Sequence, residues 1–249
     1  MPRFFVRQDR VFENTVSIIG EDAHHIARSL RMAVGDEITV CDMQGNEYTC
    51  EIKSFDEDRE VVANILSRIC ASNEPLCYVT LYQALPKGDK LDTIIQKAVE
   101  CGVSRIVPFQ SERCVVRIKD DAEARKTERR QRISAEAAKQ CGRSVIPQVE
   151  PSVTFAQALK EANDNGDVCL FCYEGDDTEP LGKVLRDMEG NFPKRISIFV
   201  GSEGGFSINE ASSAREIGMK MIGLGKRILR TETASGFVLA CIVFESELL

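Results

Sequence analysis

Two short segments carry the residues best suited to chemistry. "LGKRILRTETA" at 224–234 places Lys226, Arg227 and Arg230, then Thr231, Glu232 and Thr233, at the mouth of the apolar run "ASGFVLACIVF". "FVGSEGGFSINE" at 199–210 brings Gly201, Gly204 and Gly205 within five residues. Glycines this dense admit positive φ and let a ligand approach the backbone closely. Gly223 and Gly225 extend that permission to the neighbouring segment, so the two together read as a backbone-lined pocket. The dinucleotide pattern G-x-G-x-x-G, the phosphate loop G-x-x-x-x-G-K-[ST], the nucleophile elbow G-x-S-x-G and metal-ligand spacings are all missing. A nucleotide-like ligand without a long phosphate chain fits better, because adenine can be read by backbone N–H and C=O groups alone.

Other candidates weigh less. Of ten cysteines only Cys169 and Cys172 form a CxxC, inside the apolar run "DVCLFCYEG" with no second pair or histidine at ligand spacing. Reduced, buried core cysteines and no metal are expected. The doublet His24-His25 has no cysteine, serine or carboxylate at a telling distance and reads as the start of a helix. Net charge is −7, yet the stretch Arg113–Arg143 has ten Lys or Arg against five acids, leaving it at +5 and the remainder at −12. That stretch is either a cationic face for a polyanion or a solvated helix with i,i+4 pairs such as Asp121–Arg125.

The elements that must position these residues fall in two regions. Residues 1–70 look β-rich: "DEITVCDMQGNEYTCEI" forms two alternating runs around Gly45-Asn46, a hairpin, and "REVVANILSRI" follows as a strand. "EDAHHIARSLRM" reads as a short helix. A small antiparallel barrel is expected, then a polar linker "ASNEPL" at 71–76. From residue 74 to 249 strands and helices alternate. "LCYVTLYQAL" is continuously apolar, as a strand buried on both faces requires. Asp89 can cap the helix "KLDTIIQKAVECG", which Gly102 ends. "SRIVPF", a long charged helix, a helix at "FAQALKEA", strands at 168–173, 196–200 and 221–225, helices near 180–189 and after Ser207, and a terminal helix complete the pattern. Ser207 with Glu210 fits a capping box, and Thr231 and Thr233 suit the start of the terminal helix. Such alternation implies a mostly parallel sheet with ligands beyond its carboxyl ends. Those ends carry "YEGDDTE", "GSEGGFS" and "GKRILRTET". No apolar run is long enough to span a membrane, and "MPRFFVRQDR" has no signal-peptide core, so a cytoplasmic protein is expected.

"FVGSEGGFSINE" followed by "LGKRILRTETA" resembles the paired C-terminal motifs of the RsmE family, SPOUT-superfamily methyltransferases acting on N3 of a uridine in 16S ribosomal RNA. "LPKGDKLDTIIQKAVECGVSRIVPF", "SERCVV", "EAAKQCGRSVIPQV" and "HHIARSLRMAVGDEI" resemble its upstream blocks, so the likeness spans nearly the whole chain. Ser202 departs from the family's usual proline, which removes a φ restraint without closing a backbone pocket. The resemblance implies an α/β protein: a PUA-like β-barrel at 1–70 that binds RNA, and a SPOUT domain at 74–249 with a deep trefoil knot. It implies S-adenosyl-L-methionine (SAM) as cofactor, a homodimer, and the small ribosomal subunit or its 16S rRNA as partner. SAM would be held by Tyr173, Glu174, Val200, Gly201, Gly204, Gly205, Leu224, Gly225, Ile228, Leu229, Arg230, Thr233 and Ala234.

The chemistry so implied asks mainly for geometry. Uracil N3 must lose a proton, and Arg230 is placed to stabilise the developing anion. Glu203, Glu232 or solvent remain open as the base, and Glu232 has Arg230 or a neighbouring chain as possible partners. N3 lies on the Watson–Crick edge, so the base must be unpaired or flipped out and the RNA held nearby. Arg113, Arg117, Arg143 and the long charged helix are candidates for that, with Arg3, Arg7, Arg10, Arg28 and Arg31 of the first region. The rivals are a SPOUT enzyme acting on ribose 2′-O or a tRNA base, and a non-catalytic RNA-binding protein. A dehydrogenase is disfavoured by the missing fingerprint.

Overall fold

The structure, a computed structural model, describes residues 1–56, 59–71, 73–118, 120–165, 168–175 and 177–248. Ser72 of the expected linker, Lys119 of the cationic stretch and the side chain of Asp121, with its expected pair to Arg125, lie outside the described residues. The chain divides into two units, Met1–Glu74 with Ala138–Ile146, and Pro75–Ala137 with Pro147–Leu249.

The first unit is built on five strands, β1 (Arg3–Phe5), β2 (Thr15–Ile19), β3 (Glu37–Cys41), β4 (Asn46–Asp56) and β5 (Glu60–Cys70). Their order is β1-β3-β4-β5-β2, antiparallel except that β1 lies parallel to β3. The β3–β4 hairpin forms where Gly45-Asn46 places it, and its turn is organised by Asp42. That carboxylate accepts from the backbone N–H of Gln44 (2.8 Å) and Asn46 (3.1 Å), while Met43 and Gly45 take positive φ. Helix α1 (Glu21–His24) runs on into a π turn at His25–Ser29, with both histidines exposed. Phe4, Ile18, Ile26, Ile38 and Ile52 fill the core beneath.

The excursion at 138–146 was not legible in the sequence. Glu47 accepts from the Arg3 guanidinium and the Ser144 hydroxyl, and Glu74 takes Arg143 (2.6 Å) together with the N–H groups of Ser144 and Val145. Burial alone would raise the Glu47 carboxyl. The bonds from Arg3 and Ser144 and the Arg3 charge outweigh it and hold the group below its ordinary value of 4.5. A carboxyl depressed in the folded state stabilises above its unfolded value and loses that contribution as pH falls through the folded one. Glu47→Gln is therefore expected to lower the urea midpoint at pH 7, and the gap from wild type is expected to close as pH falls below about 4.5.

The second unit carries β6 (Tyr78–Ala84), β7 (Arg105–Gln110), β8 (Gln148–Val149), β9 (Val153–Thr154), β10 (Val168–Cys172), β11 (Glu179–Pro180), β12 (Arg195–Val200) and β13 (Lys220–Gly223). They form one parallel sheet, β11-β13-β10-β12-β6-β7-β8, with β9 also on β7. The helices are α2 (Lys90–Glu100), α3 (Asp120–Cys141, whose last turn belongs to the first unit), α4 (Phe155–Asp164), α5 (Leu181–Arg186), α6 (Ile208–Glu216) and α7 (Thr231–Glu247). The α6 capping box is present as expected, and Gly102 takes φ +83° beyond α2. Asp89 stands at the α2 N-cap, but its side chain makes no capping bond. No helix among the described residues is long and apolar enough to cross a membrane.

Two sequence readings need correction. All ten cysteines are free thiols, but only Cys41, Cys50, Cys77 and Cys114 are buried, and Cys70 and Cys141 are exposed. In the core, burial pushes the Cys50 thiol up to about 12, so it stays protonated. The α3 cations are also less available than their count implies. Arg129 pairs with Asp92, Arg130 is buried against Glu123 and Ser152, and Lys139 pairs with Asp22 at 2.7 Å.

Candidate functional site

The carboxyl ends of β10, β12 and β13 open on a cavity of about 740 Å³. Of the residues expected to hold the cofactor, Tyr173, Glu174, Val200, Gly201, Gly204, Gly205, Leu224, Gly225, Ile228, Leu229, Arg230 and Ala234 all line it. Thr233 does not. It is exposed on α7, and its N–H is spent on Arg230 O at 2.9 Å.

The glycine turn is shaped from behind by aromatic rings. Phe206 lies 4.1 Å from the Phe171 ring and 6.2 Å from Phe109, while Tyr82 stacks on Phe199 at 4.4 Å. A Cβ at Gly201 would meet Gly205 Cα at 3.1 Å and Phe206 Cδ2 at 3.3 Å, so a larger residue there must push the turn open by a few tenths of an ångström. Gly205 takes φ +63° and donates to Ser202 O, and Gly225 takes φ +104°. Ser202, at the family's usual proline position, is accommodated in this turn, with its side chain buried.

A buried polar network joins this turn to α7. Gln83, at the end of β6 and fully buried, donates from Nε2 to Thr231 Oγ1 (2.9 Å) and accepts at Oε1 from Ser235 Oγ (2.7 Å). Thr231 Oγ1 donates to Gly201 O at 2.6 Å. Thr231 is therefore no helix cap: Arg230 occupies the N-cap position without a side-chain bond, and the threonine ties two cavity walls together. Sequence reasoning missed Gln83, whose only signal was one amide inside an apolar strand.

Charge around the cavity is uneven. Arg113, Lys226, Arg227 and Arg230 line it, each exposed and without a carboxylate partner among the described residues. Lys90, also a lining residue, pairs with Glu203 at 2.7 Å and stands 4.0 Å from Glu232, so Glu232 faces Lys90 and not Arg230. Burial would raise the Glu203 carboxyl, but bonds from Lys90 and the Lys87 N–H, with the ammonium charge, hold it below the ordinary carboxylate value. A paired, depressed carboxylate is a poor proton acceptor near neutral pH, which counts against Glu203 as the base.

The proposed RNA-facing arginines are dispersed. Arg113 sits at the cavity edge, donating to Gly204 O at 3.0 Å, and Arg117 is exposed further along the same loop. In the first unit Arg28 and Arg31 are exposed and Arg10 is half-buried. Arg3 and Arg7 already pair with Glu47 and Asp9. Arg143 is only 5% exposed and clamped by Glu74, so in this structure it braces its own unit and offers no open cation. Among the described residues no cluster of three His, Cys, Asp or Glu stands close enough to hold a metal ion.

The parallel sheet with a glycine-turned cavity at its carboxyl ends, and the small β unit before it, match the two domains of an RNA methyltransferase with a PUA domain. Residues 72–243 match the model for an RNA methyltransferase domain and residues 18–65 that for an RNA methyltransferase PUA domain. Ribosomal RNA small subunit methyltransferase E of Bacillus subtilis is 36% identical over 254 residues, covering 100% of this chain and 98% of its own. The enzyme of the same name from Neisseria gonorrhoeae, solved bound to S-adenosyl methionine, is 31% identical with a TM-score of 0.84, over 97% of this chain and 96% of its own. A Legionella pneumophila methyltransferase solved with bound SAM is 28% identical, TM-score 0.82, over 96% of each chain. The chain belongs to the ribosomal RNA small subunit methyltransferase E family.

Proposed function

We propose that this protein uses SAM to methylate N3 of a uridine in the 16S rRNA of the small ribosomal subunit, which places its work in the cytoplasm. The observation that carries the reading is a backbone-lined cavity with Arg113, Lys226, Arg227 and Arg230 at its rim, none with a carboxylate partner among the described residues, on a chain of net charge −7. Its glycine turns suit an adenosine read by backbone groups, and Ile228 and Leu229 offer apolar cover. When bound there, SAM supplies a methyl group on a cationic sulfur. The chain's own residues then have three tasks. The turns at 201–205 and 223–230 hold the donor in line with the flipped base. Arg230 stabilises negative charge developing on the uracil ring. The remaining cations hold the neighbouring phosphates. Mass mapping of methylated nucleosides, after incubation with labelled SAM and undermethylated small subunits, tests the assignment. A label on a ribose 2′-O or on no nucleoside would overturn it.

Three finer features belong to the same reading. The first unit, 1–74 with 138–146 in place of the expected 1–70, closes as an RNA-holding barrel, and 75–137 with 147–249 form the catalytic domain. Closure is supported by β1 pairing with β3 while Val11 bridges Val16 of β2, so one N-terminal segment touches both ends of the sheet. A knot is supported by the route of residues 224–230. They leave β13 outside β10 and return to α7, which packs on α2, α5 and β12. A homodimer is supported by the face of α7 that carries exposed Phe237 and Phe244 with Ala240 between them; Leu239, expected on that face with the two phenylalanines, turns inward and is buried. Wild type is expected to sediment as a dimer of the 27.7 kDa chain, and Phe237→Glu with Phe244→Glu as a monomer.

Arg113→Ala is expected to weaken RNA binding and to reduce its salt slope by roughly one unit, with SAM affinity nearly unchanged. Titrations from low to moderate salt check this. An unchanged slope would remove the phosphate contact.

A further inference from the structure

The Glu210 carboxylate does more than a capping box requires. Its Oε2 accepts from Ser207 N at 2.9 Å, which satisfies the start of α6. Helix capping needs nothing else from this side chain. Yet Oε2 also accepts from Ser111 Oγ at 3.1 Å, and Oε1 accepts from the Glu112 N–H at 2.9 Å. Both donors lie on a loop about a hundred residues away in sequence, 99 and 98 positions from Glu210. Glu210 is 6% exposed and Ser111 1%, so the Ser111 bond is shielded from water, while the Glu112 bond is partly buried.

The loop so fastened is the one that carries Arg113. It closes as a turn from Ser111 to Cys114, with Cys114 N donating to Ser111 O at 3.1 Å. Arg113 leaves this turn against the glycine segment. Its Nη1 bonds Gly204 O, and its Cβ lies 3.1 Å from where a Cβ on Gly204 would stand. Glu210 thus anchors both ends of one assembly, the glycine segment through Ser207 and the arginine loop through Ser111 and Glu112.

We propose that Glu210 is a positioning residue for RNA: it holds the Ser111–Cys114 turn so that the Arg113 guanidinium stands at the cavity edge. This rests on the reading of Arg113 as an RNA contact. A glutamine at 210 keeps the volume, and its one oxygen can take the Oε2 place between Ser207 N and Ser111 Oγ, but its NH2 then faces the Glu112 N–H, donor against donor, and that loop bond is lost.

The test is a double-mutant cycle with Glu210→Gln, Arg113→Ala and the pair, reading KM for small-subunit RNA, kcat, SAM affinity by calorimetry and Tm. Glu210→Gln is expected to raise the RNA KM by roughly tenfold, as Arg113→Ala does, with kcat and SAM affinity little changed. In the Arg113→Ala background it is expected to add nothing to KM while still lowering Tm. A full additive effect on KM, or a fall in Tm alone, would overturn the proposal. If Arg113→Ala leaves RNA KM unchanged, the RNA role of Arg113 fails, and any effect of Glu210→Gln then belongs to helix stability. Should Glu210→Gln not fold, Ser111→Ala decides, because it removes a loop bond and leaves the capping box. A smaller rise in KM supports the proposal, and none overturns it.

Discussion

Gly201→Val is expected to abolish cofactor binding, weakening SAM affinity by at least about 100-fold while RNA affinity at fixed salt stays close to wild type. The added Cβ would lie 3.1 Å from Gly205 Cα and 3.2 Å from Gly205 C, backbone atoms that cannot rotate aside. Branching at Cβ worsens the clash, so the turn must open and the cavity wall with it. Gly225→Val reaches the same result by another route. Nothing lies within 4 Å of its Cβ position, but φ is +104°, where a branched side chain is strained. Calorimetry with SAM beside RNA titration separates the two ligands. Retained SAM affinity in both variants, or loss of RNA and SAM together, would place the cofactor elsewhere.

Gln83→Leu is expected to damage both stability and the cofactor site. Leucine fills a similar volume but removes the donor to Thr231 Oγ1 and the acceptor of Ser235 Oγ. Thr231 still donates to Gly201 O and Ser235 to Thr231 O, so the orphaned groups are few and the cost is about 1–3 kcal/mol. For a chain of this length that corresponds to a fall in Tm of roughly 2–12 °C. SAM affinity falls too, because the start of α7 is then fastened to the glycine turn by one bond. A normal Tm with normal SAM affinity would show that the network is incidental.

The glycine segments and the basic loop were legible because their signals are local. Three glycines within five residues, or Ser207 three positions before Glu210, state a backbone requirement at the place where it is met. The strand–helix alternation was legible for the same reason, and it placed all but one of the expected cofactor residues around one cavity. What escaped were partnerships between distant residues. Arg143 reads in a sequence as an open cation, and only the fold brings Glu74 to it. Thr231 reads as a helix cap until Gln83 and Gly201 are seen to claim its hydroxyl. The two-residue strands β8, β9 and β11 are too short to show any period, and β1 and β2 were missed within a segment read only as β-rich. The second duty of Glu210 was hidden because its capping role already accounted for it.

The Gln83 bonds also bear on the order in which the chain acquires its shape. They join residues 148 and 152 positions apart, between the first long strand of the parallel sheet and the last helix. Contacts so distant along the chain form late, since the entropy of closing a large loop is lost before the contact repays it. Helices and the local hairpin can assemble in microseconds, but the cavity wall waits for this final docking. During refolding, recovery of helical signal is therefore expected to precede recovery of ligand capture, and a bound cofactor is expected to stabilise the state in which this docking is complete.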